Sequence, residues 1–181
     1  MIKMKNHIID KDEEERRLKA LAEYRILGTE PESCYDDITQ IAARTCHVPI
    51  SLMTLVDKDR QWFKSKVGFQ TSETRRDWSF CTHAIKENNP LIVHDAYQDK
   101  RFINNPLVTG EPKIRFYAGF PLKNNEGNKL GTLCVIDRKP GSLDEEQCSI
   151  MELLAKQIVS FLELRKRSLN LLDALSHLHN Q

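Results

Sequence analysis

No stretch of this 181-residue sequence approaches the roughly 18 consecutive apolar residues that a bilayer-crossing helix needs. The start, MIKMKNHIIDKDEEERR, is charged rather than apolar, so the expectation is a soluble, cytoplasmic protein with no membrane partner. An excess of either charge is also missing. Lys and Arg number 27 against 26 Asp and Glu, a formal net charge of +1, which gives no basic field to concentrate phosphate backbones and argues against nucleic acid as a partner. There is no disulfide framework: five cysteines, an odd number at irregular spacing, read as reduced thiols. Structural zinc wants four ligands, commonly in short-spaced pairs, and no second pair joins Cys81 and His83, so no metal is expected. The sequence lacks G-x-S-x-G, G-x-x-x-x-G-K and G-x-G-x-x-G, which removes the hydrolase elbow, the phosphate-binding loop and the dinucleotide fingerprint. Internal repeats and low-complexity tracts are absent too.

What is present suffices for one domain, since 40% hydrophobic residues can fill a core of ordinary size. In DEEERRLKALAEYRIL the residues Leu18, Leu21, Ala22 and Ile26 recur at helical spacing behind an acidic first turn, with Gly28 and Pro31 as stops. Ser33 and Asp36 resemble a capping box opening a second helix, with Ile38, Ile41, Ala42 and Thr45 as its buried stripe. PISLMTLVD and QWFKSKVGF read as a hairpin, LIVHDA as a short strand, and IRFYAGFPL and KLGTLCVID as a second hairpin joined by KNNEG. The fold class is therefore α+β, an antiparallel sheet with helices before and after it. Ser142 and Glu145 signal a final helix over residues 143–178, about 50 Å long at 1.5 Å per residue. A compact domain of this length is only roughly 40 Å across. The end of the helix must then project, exposing leucines 169, 171, 172, 175 and 178 unless a second copy or an output domain covers them, or fold back after a break near Arg165 to Arg167.

RRDWSFCTHAI places a thiol and an imidazole two residues apart behind two arginines and a tryptophan. A thiol enzyme needs a nearby cation or helix terminus and a base, which Arg75, Arg76 and His83 could supply. A cysteine among Trp78, Phe80 and HAI is more often packing. In KIRFYAGFPL alternation sends Ile114, Phe116, Ala118 and Phe120 to one face and Arg115, Tyr117 and Gly119 to the other. The first set suits a dry core. The second suits a pocket, with a cation, a phenol and a residue that leaves room for close approach, or else a half-solvated face with Arg115 lying over Tyr117.

RRDWSFCTHAI, LIVHDAYQDKRFINNPLVTGEPKIRFYAGFPL and GNKLGTLCVIDRKPGSL, in that order, closely resemble the GAF domain family over roughly residues 15 to 165. The resemblance implies a six-stranded antiparallel sheet, with N- and C-terminal helices on one face and a ligand pocket on the other. It also implies a sensory role in signal transduction, a bound small molecule altering the terminal helices that lead to a homodimer or a downstream output domain. By this resemblance Trp78, Phe80, Cys81, His83, Asp95 and Phe102 join Arg115, Tyr117 and Gly119 as candidate ligand contacts. Asp95 and Arg101 also have a structural reading, as an ion pair. Departures from the family's branches matter. Thr82 separates Cys81 from His83 where pigment-binding members have Cys next to His, Pro140 stands where cyclic-nucleotide binders have Phe, and the cysteine pattern of the methionine sulfoxide reductases is missing. The expectation is a non-catalytic sensor of 15–165, with a tail over 1–14 and a dimerising or signalling extension over 166–181. The ligand and any cofactor stay unnamed, and a dimerisation module without ligand, or a thiol redox enzyme, are the alternatives.

Overall fold

The computed structural model describes residues 11–179. Six strands, β1 (Ile50–Val56), β2 (Arg60–Val67), β3 (Glu73–Arg75), β4 (Leu91–Val93), β5 (Phe116–Lys123) and β6 (Lys129–Asp137), form one sheet in the order β3-β2-β1-β6-β5-β4. Every neighbouring pair is antiparallel. Helices α1 (Lys11–Glu23), α2 (Ser33–Thr45) and α5 (Glu145–His179) flank the sheet in sequence, while α3 (Phe80–Ala84) and α4 (Pro106–Thr109) lie in the long connections between β3, β4 and β5.

Alternation along the strands divides the interior into two layers. Met53, Leu55, Trp62, Phe116, Ala118, Phe120, Leu133 and Val135 pack under α1, α2 and α5 with Leu21, Ile38, Met151 and Ile158. Leu52, Val56, Phe63, Tyr117, Cys134 and Ile136 face the other way and meet Phe80, Cys81, Phe102 and Leu107 from the connections. Ile114 departs from the expected pattern by joining this second layer. Its N–H bonds to the Leu107 carbonyl at 2.9 Å rather than to a strand, because β5 begins only at Phe116 and the alternation has not started.

Several local expectations shift by a few residues. The first helix ends at Glu23, with Tyr24 and Ile26 buried in the turn beyond it. Lys11–Glu14, assigned to the tail from sequence, are helical, and the rest of that tail lies outside the described residues. Ser33 opens α2 without capping it: Glu32 holds the cap position and makes no side-chain cap bond, and Asp36 accepts from Ser65 Oγ at 2.6 Å instead. Ile41 is 47% exposed, and Tyr35, Thr39 and Ala43 complete the buried face with Ile38 and Ala42. The box expected at Ser142 and Glu145 forms at Asp144 and Gln147, where the Gln147 N–H donates to Asp144 Oδ1 at 2.7 Å and the Asp144 N–H to Gln147 Oε1 at 3.0 Å.

α5 is continuous for 35 residues, about 50 Å, and does not fold back. Its first half buries Met151, Ala155, Ile158 and Leu162. Beyond that, Leu171, Leu172, Leu175 and Leu178 are 54–71% exposed, and Leu169 is half-buried. The helix is clamped where it leaves the body. Arg165 donates to the carbonyls of Tyr24 and Arg25, both at 2.9 Å, and to Glu32 at 3.2 Å. Lys166 pairs with Glu23 at 2.6 Å, and Tyr24 Oη donates to Glu163 at 2.8 Å.

Candidate functional site

The layer between the sheet and α3 and α4 is where a ligand was expected. Ser79 caps α3 by accepting from the Thr82 N–H at 3.0 Å, and this short helix lowers Phe80 and Cys81 onto β5 and β6. Asn105 caps α4 in the same way, and its side-chain amide ties that segment to the Trp78 carbonyl at 2.9 Å. The lid is therefore built from two capped turns that hold each other.

Beneath it the space is almost filled. The cavity there measures about 20 Å³ and is lined by Leu52, Gln61, Phe63, Phe69, Phe80, Cys81, Leu107, Ile114, Tyr117, Cys134 and Ile136. That is room for about one water, whereas pockets for organic ligands run to roughly 300 Å³ or more. Outside it lies an open groove of about 730 Å³ bordered by Asp57, Arg60, Glu73, Arg75, Trp78 and Glu111. Phe69 and Leu107 line both spaces and form the partition between them.

The nine residues nominated from sequence separate into groups. Phe80, Cys81 and Tyr117 line the cavity. Phe102 stacks behind Phe80 with ring centroids 3.9 Å apart, and His83 meets Phe102 edge-on at 4.9 Å. Burial, helped by Lys86 and Arg101, pushes the His83 imidazole below its ordinary range, so it is neutral near pH 7. Trp78 borders the outer groove, with Arg75 5.7 Å over its ring. Asp95 and Arg115 do not reach the cavity. They form a bidentate pair, both contacts at 2.7 Å, and the guanidinium lies 4.3 Å over Tyr97. Hydrogen bonding to Arg115 holds the Asp95 carboxyl below the usual range, so the cation read as a ligand handle already has its carboxylate. Gly119 is also used internally, because a Cβ there would stand 2.1 Å from Tyr117 Oη.

Sequence reasoning missed Gln61, Phe69, Leu107 and Cys134. Gln61 is held from both ends, accepting from Ser79 Oγ at 2.6 Å and donating to Thr74 Oγ1 at 2.6 Å. The available signal was an amide inside the otherwise apolar QWF, and in CVI a cysteine on the parity of Ile136. Cys81 Sγ accepts hydrogen bonds from Tyr117 Oη at 3.3 Å and Thr132 Oγ1 at 3.1 Å. Among the described residues no three His, Cys, Asp or Glu side chains converge as metal ligands would, and no helix is long and apolar enough to cross a membrane.

A model of the GAF domain family matches residues 30–161. The chain belongs to the GAF domain family. It is similar to a cyclic di-GMP phosphodiesterase of Pseudomonas aeruginosa, 37% identical over 171 residues, covering 94% of this chain and 29% of that protein's length. The GAF domain of an Acinetobacter phosphoenolpyruvate-protein phosphotransferase superposes with a TM-score of 0.60 at 16% identity, covering 85% of this chain and 95% of that one. A GAF region from a Geobacter sulfurreducens membrane protein gives 0.58 at 19% identity, covering 84% and 99%. At these identities the two structures speak for the fold alone. The six-stranded antiparallel sheet and the α+β class expected from sequence are what this GAF domain has.

Proposed function

We propose that this GAF domain is the cytoplasmic, non-catalytic regulatory part of a signalling system. It takes a small, largely apolar organic ligand between its sheet and lid and passes the result through α5 to a second copy or an output domain. The observation that carries the proposal is the division of α5. Met151, Ala155, Ile158 and Leu162 lie in the core, while the unbroken continuation presents Leu171, Leu172, Leu175 and Leu178 outward. A tilt at the sheet is thereby transmitted to an apolar surface suited to another chain. Similarity to a cyclic di-GMP phosphodiesterase favours cyclic-dinucleotide turnover as the output class. The five free thiols suit a reducing cytoplasm.

The ligand enters by displacing Phe69 and Leu107 from the outer groove, and it meets apolar and aromatic walls. The Asp95–Arg115 pair removes the preference for an anionic ligand that Arg115 suggested. A ligand acts as a switch only by its difference in affinity for two arrangements of the helix. The 20 Å³ cavity favours a second reading, a dimerisation module whose lid layer is simply core. Thermal unfolding against a metabolite library separates them. A ligand at 100 times its dissociation constant adds about 2.7 kcal/mol, a rise of several degrees in Tm. If no compound raises Tm, the second reading replaces the first.

A further inference from the structure

Besides the Gln61–Ser79–Thr74 bonds, the lid layer holds a polar cluster that converges on a sulfur. Tyr117 and Thr132 both donate hydroxyl hydrogens to Cys81 Sγ, and Thr132 Oγ1 lies 3.1 Å from Thr54 Oγ1. Cys134 follows Thr132 by two residues on β6, so its side chain emerges on the same face, and it lines the same cavity as Cys81. A neutral thiol is a weak acceptor, and several donors aimed at one sulfur are complementary to a thiolate. Burial opposes ionisation of Cys81, but the hydroxyls of Thr132 and Tyr117 that donate to its sulfur favour the thiolate, and the thiol lies below its ordinary range. Burial pushes the Cys134 thiol up, and the two hydroxyls donate to the other sulfur, so the geometry prepares Cys81 as the nucleophile.

We propose that Cys81 and Cys134 form a peroxide-reactive pair that closes to an intramolecular disulfide, an oxidative modification site inside the lid layer. The cavity beside the two sulfurs is sized for a molecule not much larger than water, and Phe69 and Leu107 line both it and the groove. That fits hydrogen peroxide and excludes bulky oxidants. In the first step the Cys81 thiolate attacks one peroxide oxygen. The S–O bond forms, the O–O bond breaks, and the departing hydroxide leaves as water with the proton the thiol gave up. The Cys134 sulfur then attacks the Cys81 sulfenic acid. The S–S bond forms, the S–O bond breaks, and hydroxide leaves as a second water with the Cys134 proton. Two thiols are oxidised and one hydrogen peroxide is reduced to two waters. The bond ties α3 to a central strand, so it locks the lid; this goes beyond the regulatory reading, because it needs no organic ligand.

The test is hydrogen peroxide titration of the folded chain, followed by alkylation under denaturing conditions and peptide mass spectrometry. Cys34 and Cys148, both more exposed and both pushed up by burial and nearby carboxylates, are internal controls. The expected result is a Cys81–Cys134 crosslink, reversible by dithiothreitol, at peroxide concentrations at least about tenfold below those that modify the controls. In Cys134→Ser, the expected product is a Cys81 sulfenic acid trapped by a 1,3-dione. Thr132→Val slows the reaction by about tenfold, the order of one charge-assisted hydrogen bond, and Thr132→Ser restores it. Oxidation of Cys34 or Cys148 before Cys81 in the wild-type chain overturns the proposal, as does oxidation of Cys81 without a link to Cys134.

Discussion

Tyr117 Oη occupies the position that a side chain at Gly119 would need, 2.1 Å from where its Cβ would stand. The phenol lies back along its own strand, two residues on, and its hydroxyl reaches Cys81 Sγ. The residue that seemed to make room for a ligand makes room for the ring that fills the chamber.

Gly119→Ala therefore drives Tyr117 out of place. Overpacking of this kind costs about 1–3 kcal/mol, and the chamber has no slack to absorb the ring. Chemical denaturation measures the loss. A variant as stable as the parent would show that Tyr117 moves freely.

Truncation after Arg167 removes Leu171, Leu172, Leu175 and Leu178 while keeping the buried half of α5. The shortened chain is expected to be monomeric at concentrations where the full chain is dimeric, as read by light scattering. Equal dimerisation of the two places the interface elsewhere.

Arg165 fastens α5 to the segment after α1 through two carbonyls and Glu32. Arg165→Ala leaves those acceptors with water or nothing and should cost about 1–2 kcal/mol. Amide exchange along residues 24–27 should rise with it, and unchanged exchange would show that the clamp is not needed.

Glu14 supplies the pH dependence. Burial opposes its charge, but Arg17 and Arg76 outweigh burial and hold its carboxyl down from 4.5 to about 2. A depressed carboxylate contributes stability that is complete above its unfolded-state pKa and is lost as pH falls toward the folded value. Glu14→Gln should cost on the order of 2 kcal/mol at pH 7 and flatten the acid limb between about 4.5 and 2. Parallel stability curves for variant and parent across that window would contradict this assignment.

Alternation made the two faces of β5 legible, and Phe116, Ala118 and Phe120 pack under the helices while Tyr117 and Gly119 face the lid. Periodicity likewise gave the unbroken final helix. It failed where a partner distant in sequence decides the outcome. Arg115 is claimed by Asp95, 20 residues earlier, and Thr39 is buried because Ser65 lies 2.7 Å from it. β3 is three residues long and carries no usable pattern. Cys134 reads as one more apolar strand residue until α3 lowers Cys81 onto the same cavity.

The proposed response of this GAF domain to a ligand is the opening of its lid layer at Phe69 and Leu107. Methyl NMR titration with any compound that raises Tm tests it most directly. The account predicts that the methyls of Leu52, Leu107, Ile114 and Ile136, which line the cavity, shift first, with those of Leu162 and Leu169 in α5 following. Stabilising compounds that leave the four cavity methyls unmoved would contradict it.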